Sequence, residues 1–142
     1  MVRYLGLDVG HKRVGVAVSD ALAMIAQPLD IMDPKNTNQL QEWVRTYGIT
    51  DIVVGLPKNR LGEPTEQTRW IERWVEKTTP FVTINWHYWN EAYSTKAAEY
   101  VLLSANIKRQ KRKQFKDKQA AAFILQGYLD FISNQQKQVK HE

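Results

Sequence analysis

The sequence predicts a mixed α/β fold: a five-stranded sheet in which an antiparallel three-strand meander leads into parallel strands, with helices on both faces. Three observations carry that expectation. Two alternating apolar runs near the start are joined by a link short enough only for a hairpin. The run Asp51-Ile52-Val53-Val54-Gly55 is apolar on both faces and β-branched, as buried parallel strands are. Between and after these runs, apolar residues recur at spacings of three and four, the period of a helix with one buried face.

Val2 to Val9 reads as the first strand. Arg13 to Ser19 reads as the second, with Val14, Val16 and Val18 on one face and Gly15, Ala17 and Ser19 on the other. The Gly10–Lys12 link makes the pair antiparallel. Ile25 to Ile31 is a third strand whose Pro28, lacking an N–H, suits an edge position. Asn36 to Tyr47 is helical, burying Leu40, Trp43, Val44 and Tyr47, and Gly48 stops it. After the Asp51–Gly55 strand, Leu56 to Gly62 is a loop. Pro64 then starts a helix whose inner stripe is Gln67, Trp70, Ile71, Trp74 and Val75. Phe81 to Trp89 is a strand, and Ser94 or Thr95 caps a helix through Leu103. A basic loop follows. Asp117 opens a last helix with Ala121, Ile124, Leu125, Tyr128 and Ile132 facing inward. The expected organisation is one domain over residues 1–133 and a polar, fraying tail over 134–142.

With 142 residues and 43% hydrophobic content the chain is long enough for one sizeable core. It has no cysteine, which excludes disulfides and thiolate metal sites and fits a reducing compartment. No signal-peptide pattern and no run of membrane-span length is present, so a cytoplasmic location without membrane association is expected. The net charge is +5, yet Lys108, Arg109, Lys111, Arg112, Lys113, Lys116 and Lys118 crowd into a segment holding one acid, Asp117. All the excess positive charge is therefore local, as for a surface that attracts polyanions. A solvated basic loop is the plainer reading of the same run.

Asp8 closes the first strand, Glu91 lies just past the strand ending near Trp89, and Asp117 begins the last helix. In a sheet of this order, strand ends and a following helix can gather at one edge, where sites in open α/β sheets form. Three carboxylates brought together repel, and a divalent cation removes that cost. Hard oxygen donors suit Mg²⁺ or Mn²⁺. Two such ions, about 4 Å apart, hold the attacking water and leaving oxygen of a phosphodiester in line. Each acid also has a plain reading: Asp8 as a turn-former before Gly10, Asp117 as a helix cap, Glu91 as a surface acid. Lys12 and Arg13 beside Asp8, and Lys58, Asn59 and Arg60 after the Gly55–Pro57 turn, are candidates for phosphate contact. His87 is expected as a packed histidine, Asp20 as a turn acid, and Trp43, Trp70, Trp74 and Trp86 as core.

With those residues assembled, the chain resembles the YqgF family, also called RuvX, of the ribonuclease H-like superfamily, over roughly Arg3 to Phe131. The most specific match is the opening Gly-x-Asp-x-Gly-x-x-Arg-x-Gly-x-Ala-x-Ser-Asp, met by Gly6, Asp8, Gly10, Arg13, Gly15, Ala17, Ser19 and Asp20. Val54, Gly55 and Pro57 meet a Val-Gly-x-Pro loop. Asp117, Lys118, Ala120, Ala121, Ile124, Leu125 and Gln126 meet an Asp-Lys-x-Ala-Ala-x-x-Ile-Leu-Gln helix. The resemblance implies a ribonuclease H-like fold and a nuclease site using Mg²⁺ or Mn²⁺, as two ions, with Asp8, Glu91 and Asp117 at the family's acidic positions. It implies 5′-end processing of the small-subunit ribosomal RNA precursor, with that precursor subunit as a partner, or cleavage of branched four-way DNA. One stretch departs: where the family usually has Asp-Glu-Arg, this chain reads Asn90-Glu91-Ala92. Alanine cannot hold a phosphate as arginine does, so Lys58, Arg60 or the basic run would substitute. That departure keeps open a non-catalytic nucleic-acid-binding or ribosome-assembly module. An ATP-handling reading of the Asp-x-Gly hairpin fits poorly, since such proteins need two domains and the chain has no Walker pattern.

Overall fold

The computed structural model describes residues 2–57, 61–90 and 109–140, with side chains described over 2–57, 61–90 and 117–135. The strands are β1 (Tyr4–Val9), β2 (Val14–Ser19), β3 (Ala26–Met32), β4 (Asp51–Leu56) and β5 (Asn85–Asn90). The described helices are α1 (Thr37–Tyr47), α2 (Glu66–Thr78) and α3 (Arg109–Lys140). The sheet order is β3-β2-β1-β4-β5. Strands β3, β2 and β1 pair antiparallel; β1–β4 and β4–β5 are parallel. This is the expected mixed sheet. The predicted helix through Leu103 lies outside the described residues.

Strand alternation sorts the side chains into two layers. Leu5, Leu7, Val9, Val14, Val16, Ile52 and Val54 point to one face and pack with Leu40 and Trp43 of α1 and Ile71, Trp74 and Val75 of α2. Tyr4, Ala17 and Val53 point to the other and pack on Ala121, Ile124, Leu125 and Leu129 of α3. Helix α1 starts where the Asn36 side chain accepts the Gln39 N–H and stops at Gly48, whose φ of 63° is left-handed. The indole N–H of Trp74 donates to the Pro34 carbonyl at 2.8 Å, so this large residue is buried with its polar atom satisfied. Trp70 and Trp86 are partly buried against the same cluster, as expected of core tryptophans.

Several boundaries differ from expectation, most by one or two residues. Helix α2 begins after Thr65, not at Pro64, because Thr65 and Thr68 cap each other reciprocally. Strand β5 begins at Asn85, not Phe81: Phe81 and Val82 donate back to Thr78 and Thr79, and only Asn85 reaches Thr50 across the sheet. Phe81 is accordingly exposed. The basic run is not a loop, since residues 109–118 are the opening turns of α3. Asp117 therefore lies in the third turn of that helix and not at its start. At its other end α3 continues through Lys140, well past Ser133. Pro28 sits, as anticipated, on edge strand β3, beside an irregularity in the pairing between Val16 and Ala17.

Candidate active site

Alternation along β1 puts Asp8 on the α3 face with Tyr4 and Gly6. Asp8 stands opposite Gly15 in the β1–β2 ladder, and such partners have Cα atoms about 4.5–5.5 Å apart. Gly15 is where α3 touches the sheet: a Cβ placed there would fall on the Asp117 carbonyl oxygen. Two further glycines make the approach possible. A Cβ on Gly6 would come within 2.6 Å of Leu125 Cβ and 3.0 Å of the Ala121 carbonyl, and one on Gly55 within 2.5 Å of Ile124 Cδ1. The helix stripe Asp117–Ala121–Ile124–Leu125 thus lies in a trough of missing side chains. Its first member is brought beside Asp8.

Asp8 is half-buried. The Oδ2 atom of Asp117 is shielded from solvent and meets Arg13 Nε in an ion pair at 3.0 Å. Arg13 belongs to the β1–β2 turn, where its carbonyl accepts the Gly10 N–H at 2.9 Å. One hairpin therefore supplies both the carboxylate of Asp8 and the guanidinium beside Asp117. Lys12 is exposed on the same turn and Lys118 follows Asp117 on the helix. Arg109, Lys111, Arg112, Lys113 and Lys116 belong to the helical backbone that leads into Asp117. Glu91, Lys58, Asn59, Arg60 and Lys108 lie outside the described residues; Asn90 ends β5, level with Leu56. Among the described residues no three acids or histidines form a metal-sized cluster. What is described is Asp8 near the end of central strand β1 and the backbone of Asp117 seated on its ladder partner Gly15; both side chains are hard oxygen donors of the kind that Mg²⁺ or Mn²⁺ takes.

Three further polar residues make contacts within the fold. His87 bonds Asp51 Oδ2 at 2.7 Å and packs on the Tyr128 ring, 5.3 Å between centroids. It lies two strands and two residues from Asp8, roughly 12 Å away. Asp20 accepts the Met24 and Ile25 N–H groups at 2.8 and 3.2 Å, and these bonds hold its carboxyl below the usual value. His11 stacks on Trp70 with 4.1 Å between centroids and bonds Gln67, which fastens the hairpin turn to α2. Sequence reasoning missed the seat at Gly15 and the Arg13–Asp117 pair. The signal for the first was present, as glycine alternating with leucine in β1 (Leu5-Gly6-Leu7) and with valine in adjoining β2 (Val14-Gly15-Val16). The second had none, because the partners are remote in sequence.

A family model described as "RuvX: Holliday junction resolvase" matches residues 2–131. A Bacillus cytotoxicus protein named "Putative pre-16S rRNA nuclease" is 42% identical over 135 residues, covering 91% of this chain and 98% of its own. Relatives of the same name from Desulforamulus reducens and Dictyoglomus turgidum are 41% and 40% identical, covering 91% and 93% of this chain and 97% and 96% of their own. In fold, the chain is similar to Thermus thermophilus RuvC, solved in complex with a Holliday junction substrate (TM-score 0.54, 15% identity, 87% and 92% of the two chains covered). It is also similar to a fowlpox virus resolvase, solved with Holliday junction DNA (TM-score 0.56, 8% identity, 92% and 99% covered).

Proposed function

This chain belongs to the RuvX family and is a nuclease, a hydrolase of phosphodiester bonds, and we propose that it processes the 5′ end of precursor 16S rRNA at the Asp8–Asp117 edge of its sheet. The observation that carries the site is the seating of Asp117 on Gly15, the ladder partner of Asp8. Glu91, directly after the last residue of β5, is proposed as the third acid.

The donor set fits Mg²⁺ or Mn²⁺, held by Asp8 and Asp117 with Glu91. When bound, such ions activate water and stabilise charge on the leaving oxygen. The chain's own residues do the rest. Asp8 is fixed by a strand between two neighbours, so its carboxylate needs little ordering when substrate arrives. Asp117 is fixed by helix-to-sheet contact through backbone atoms. The positive charge of residues 109–118 lies on the helix leading into Asp117 and draws the phosphate backbone without reading sequence. Lys12, and Lys58, Asn59 and Arg60 beyond β4, extend that surface in the proposal. The nuclease unit is taken as residues 1–133, working in the cytoplasm on the small-subunit precursor.

The test is cleavage of a labelled 16S precursor 5′ leader, with a four-way DNA junction assayed in parallel. Asp8→Asn should lower Mg²⁺-dependent cleavage by more than about 100-fold, since even changes around a metal's ligands cost 10–100-fold. Undiminished cleavage by a folded, purified variant removes Asp8 from the site. Preferred cleavage of the junction transfers the substrate assignment to DNA.

A further inference from the structure

We propose that Arg13 is a charge latch that makes cation binding and nucleic-acid binding cooperative. The proposal rests on the reading that Asp8 and Asp117 hold the cation. Arg13 Nε lies 3.0 Å from the shielded Oδ2 of Asp117, so the guanidinium stands against the oxygen edge that a cation would use. A divalent ion and a guanidinium cannot both sit at contact with one carboxylate oxygen without strong mutual repulsion. In the absence of substrate, Arg13 neutralises Asp117 and competes with the ion.

A nucleic acid changes that balance. Its phosphates offer arginine a planar, bidentate partner. Arg13 is well placed to accept it: its backbone is fixed in the hairpin turn, while its side chain remains about one-third exposed (34%). Transfer of the guanidinium from Asp117 to a phosphate removes a cation that competes with the ion for the carboxylate, and the ion in turn holds Arg13 on the phosphate. Coupling of this kind is reciprocal, so each ligand tightens the other by the same factor, typically 5–150-fold. The ion is then bound tightly only where there is a bond to cut. A role for Arg13 limited to orienting Asp117 makes the opposite prediction, because its loss would then weaken ion binding.

The experiment compares the full-length protein with Arg13→Gln, Arg13→Lys and Asp8→Asn, each checked for folding by thermal melting. Mn²⁺ affinity is measured on protein alone by electron paramagnetic resonance. RNA affinity is measured by fluorescence anisotropy with a labelled single-stranded RNA, in EDTA and in Ca²⁺, at matched ionic strength. Arg13→Gln should bind Mn²⁺ about 5-fold or more tightly than wild type and show a smaller Ca²⁺-induced gain in RNA affinity, with Arg13→Lys between the two. Weaker or unchanged Mn²⁺ binding in Arg13→Gln, or an unchanged gain, overturns the latch. Failure of the site itself looks different: wild type takes up no Mn²⁺ at millimolar ion, or Asp8→Asn takes it up as wild type does, and the latch falls with it.

Discussion

The two faces of the sheet are built on opposite plans. Toward α1 and α2 the strands present Leu5, Leu7, Val16, Ile52 and Val54, and the helices answer with Leu40, Trp43, Ile71 and Trp74. Toward α3 the same strands present Gly6, Gly15, Ala17 and Gly55. The first face buries large side chains, each stabilising by about 1.5–3 kcal/mol. The second buries fewer large strand residues, Tyr4 and Val53 against Ile124, Leu125 and Leu129, and gains proximity where glycine lets helix backbone and strand backbone touch. The difference separates two jobs within one sheet. Both faces bury a core; the α3 face also seats the backbone of Asp117 on Gly15, the ladder partner of Asp8.

Substitutions on the two faces should therefore fail in different ways. The largest loss of stability is expected from Trp74→Ala, which removes a buried ring and leaves the Pro34 carbonyl without its donor; about 3–5 kcal/mol should be lost in urea unfolding. The fraction that remains folded should keep its cleavage rate, and a lost rate would join the two faces functionally. Gly15→Ala should cost less stability, about 1–3 kcal/mol, but should abolish most cleavage, because the new methyl drives Asp117 off its seat. Full activity in that variant would break the comparison. Gly48→Ala sharpens it: the position is left-handed with open space around it, so about 1 kcal/mol should be lost from the end of α1 with no change in cleavage.

The smallest effect concerns pH. Hydrogen bonds from Met24 and Ile25 lower the Asp20 pKa in the folded state. A depressed carboxylate pKa gives stability that is present above the unfolded-state value near 3.8 and is lost as pH falls through the folded value. Asp20→Asn should flatten thermal stability over that acidic window and leave neutral-pH cleavage untouched.

Much of this was legible in the chain, for identifiable reasons. Strand runs and helical spacing disclosed the sheet, α1 and α2, because β1, β2 and β4 are buried on both faces and each helix turns one apolar stripe to the sheet. Asp8 stood out as a candidate because a lone acid closing an apolar strand before Gly10 is a conspicuous placement. The extent of α3 was not. Its first turns are nearly all Lys, Arg and Gln, which are good helix formers, and their charge density suggested a solvated loop instead. The seat of Asp117 was hidden for a different reason. Glycine's value at Gly15 lies in what packs on it, and that partner comes from the far end of the chain.

The central claim is that Asp8 and Asp117 act on one ion, and a crystal structure of the protein soaked in Mn²⁺ tests it most directly. An anomalous-scattering peak within about 2.0–2.3 Å of both carboxylates is the predicted result, a ligand distance expected of hard oxygen donors. A peak coordinated by other residues in an active preparation, with Asp117 still paired to Arg13, would contradict it.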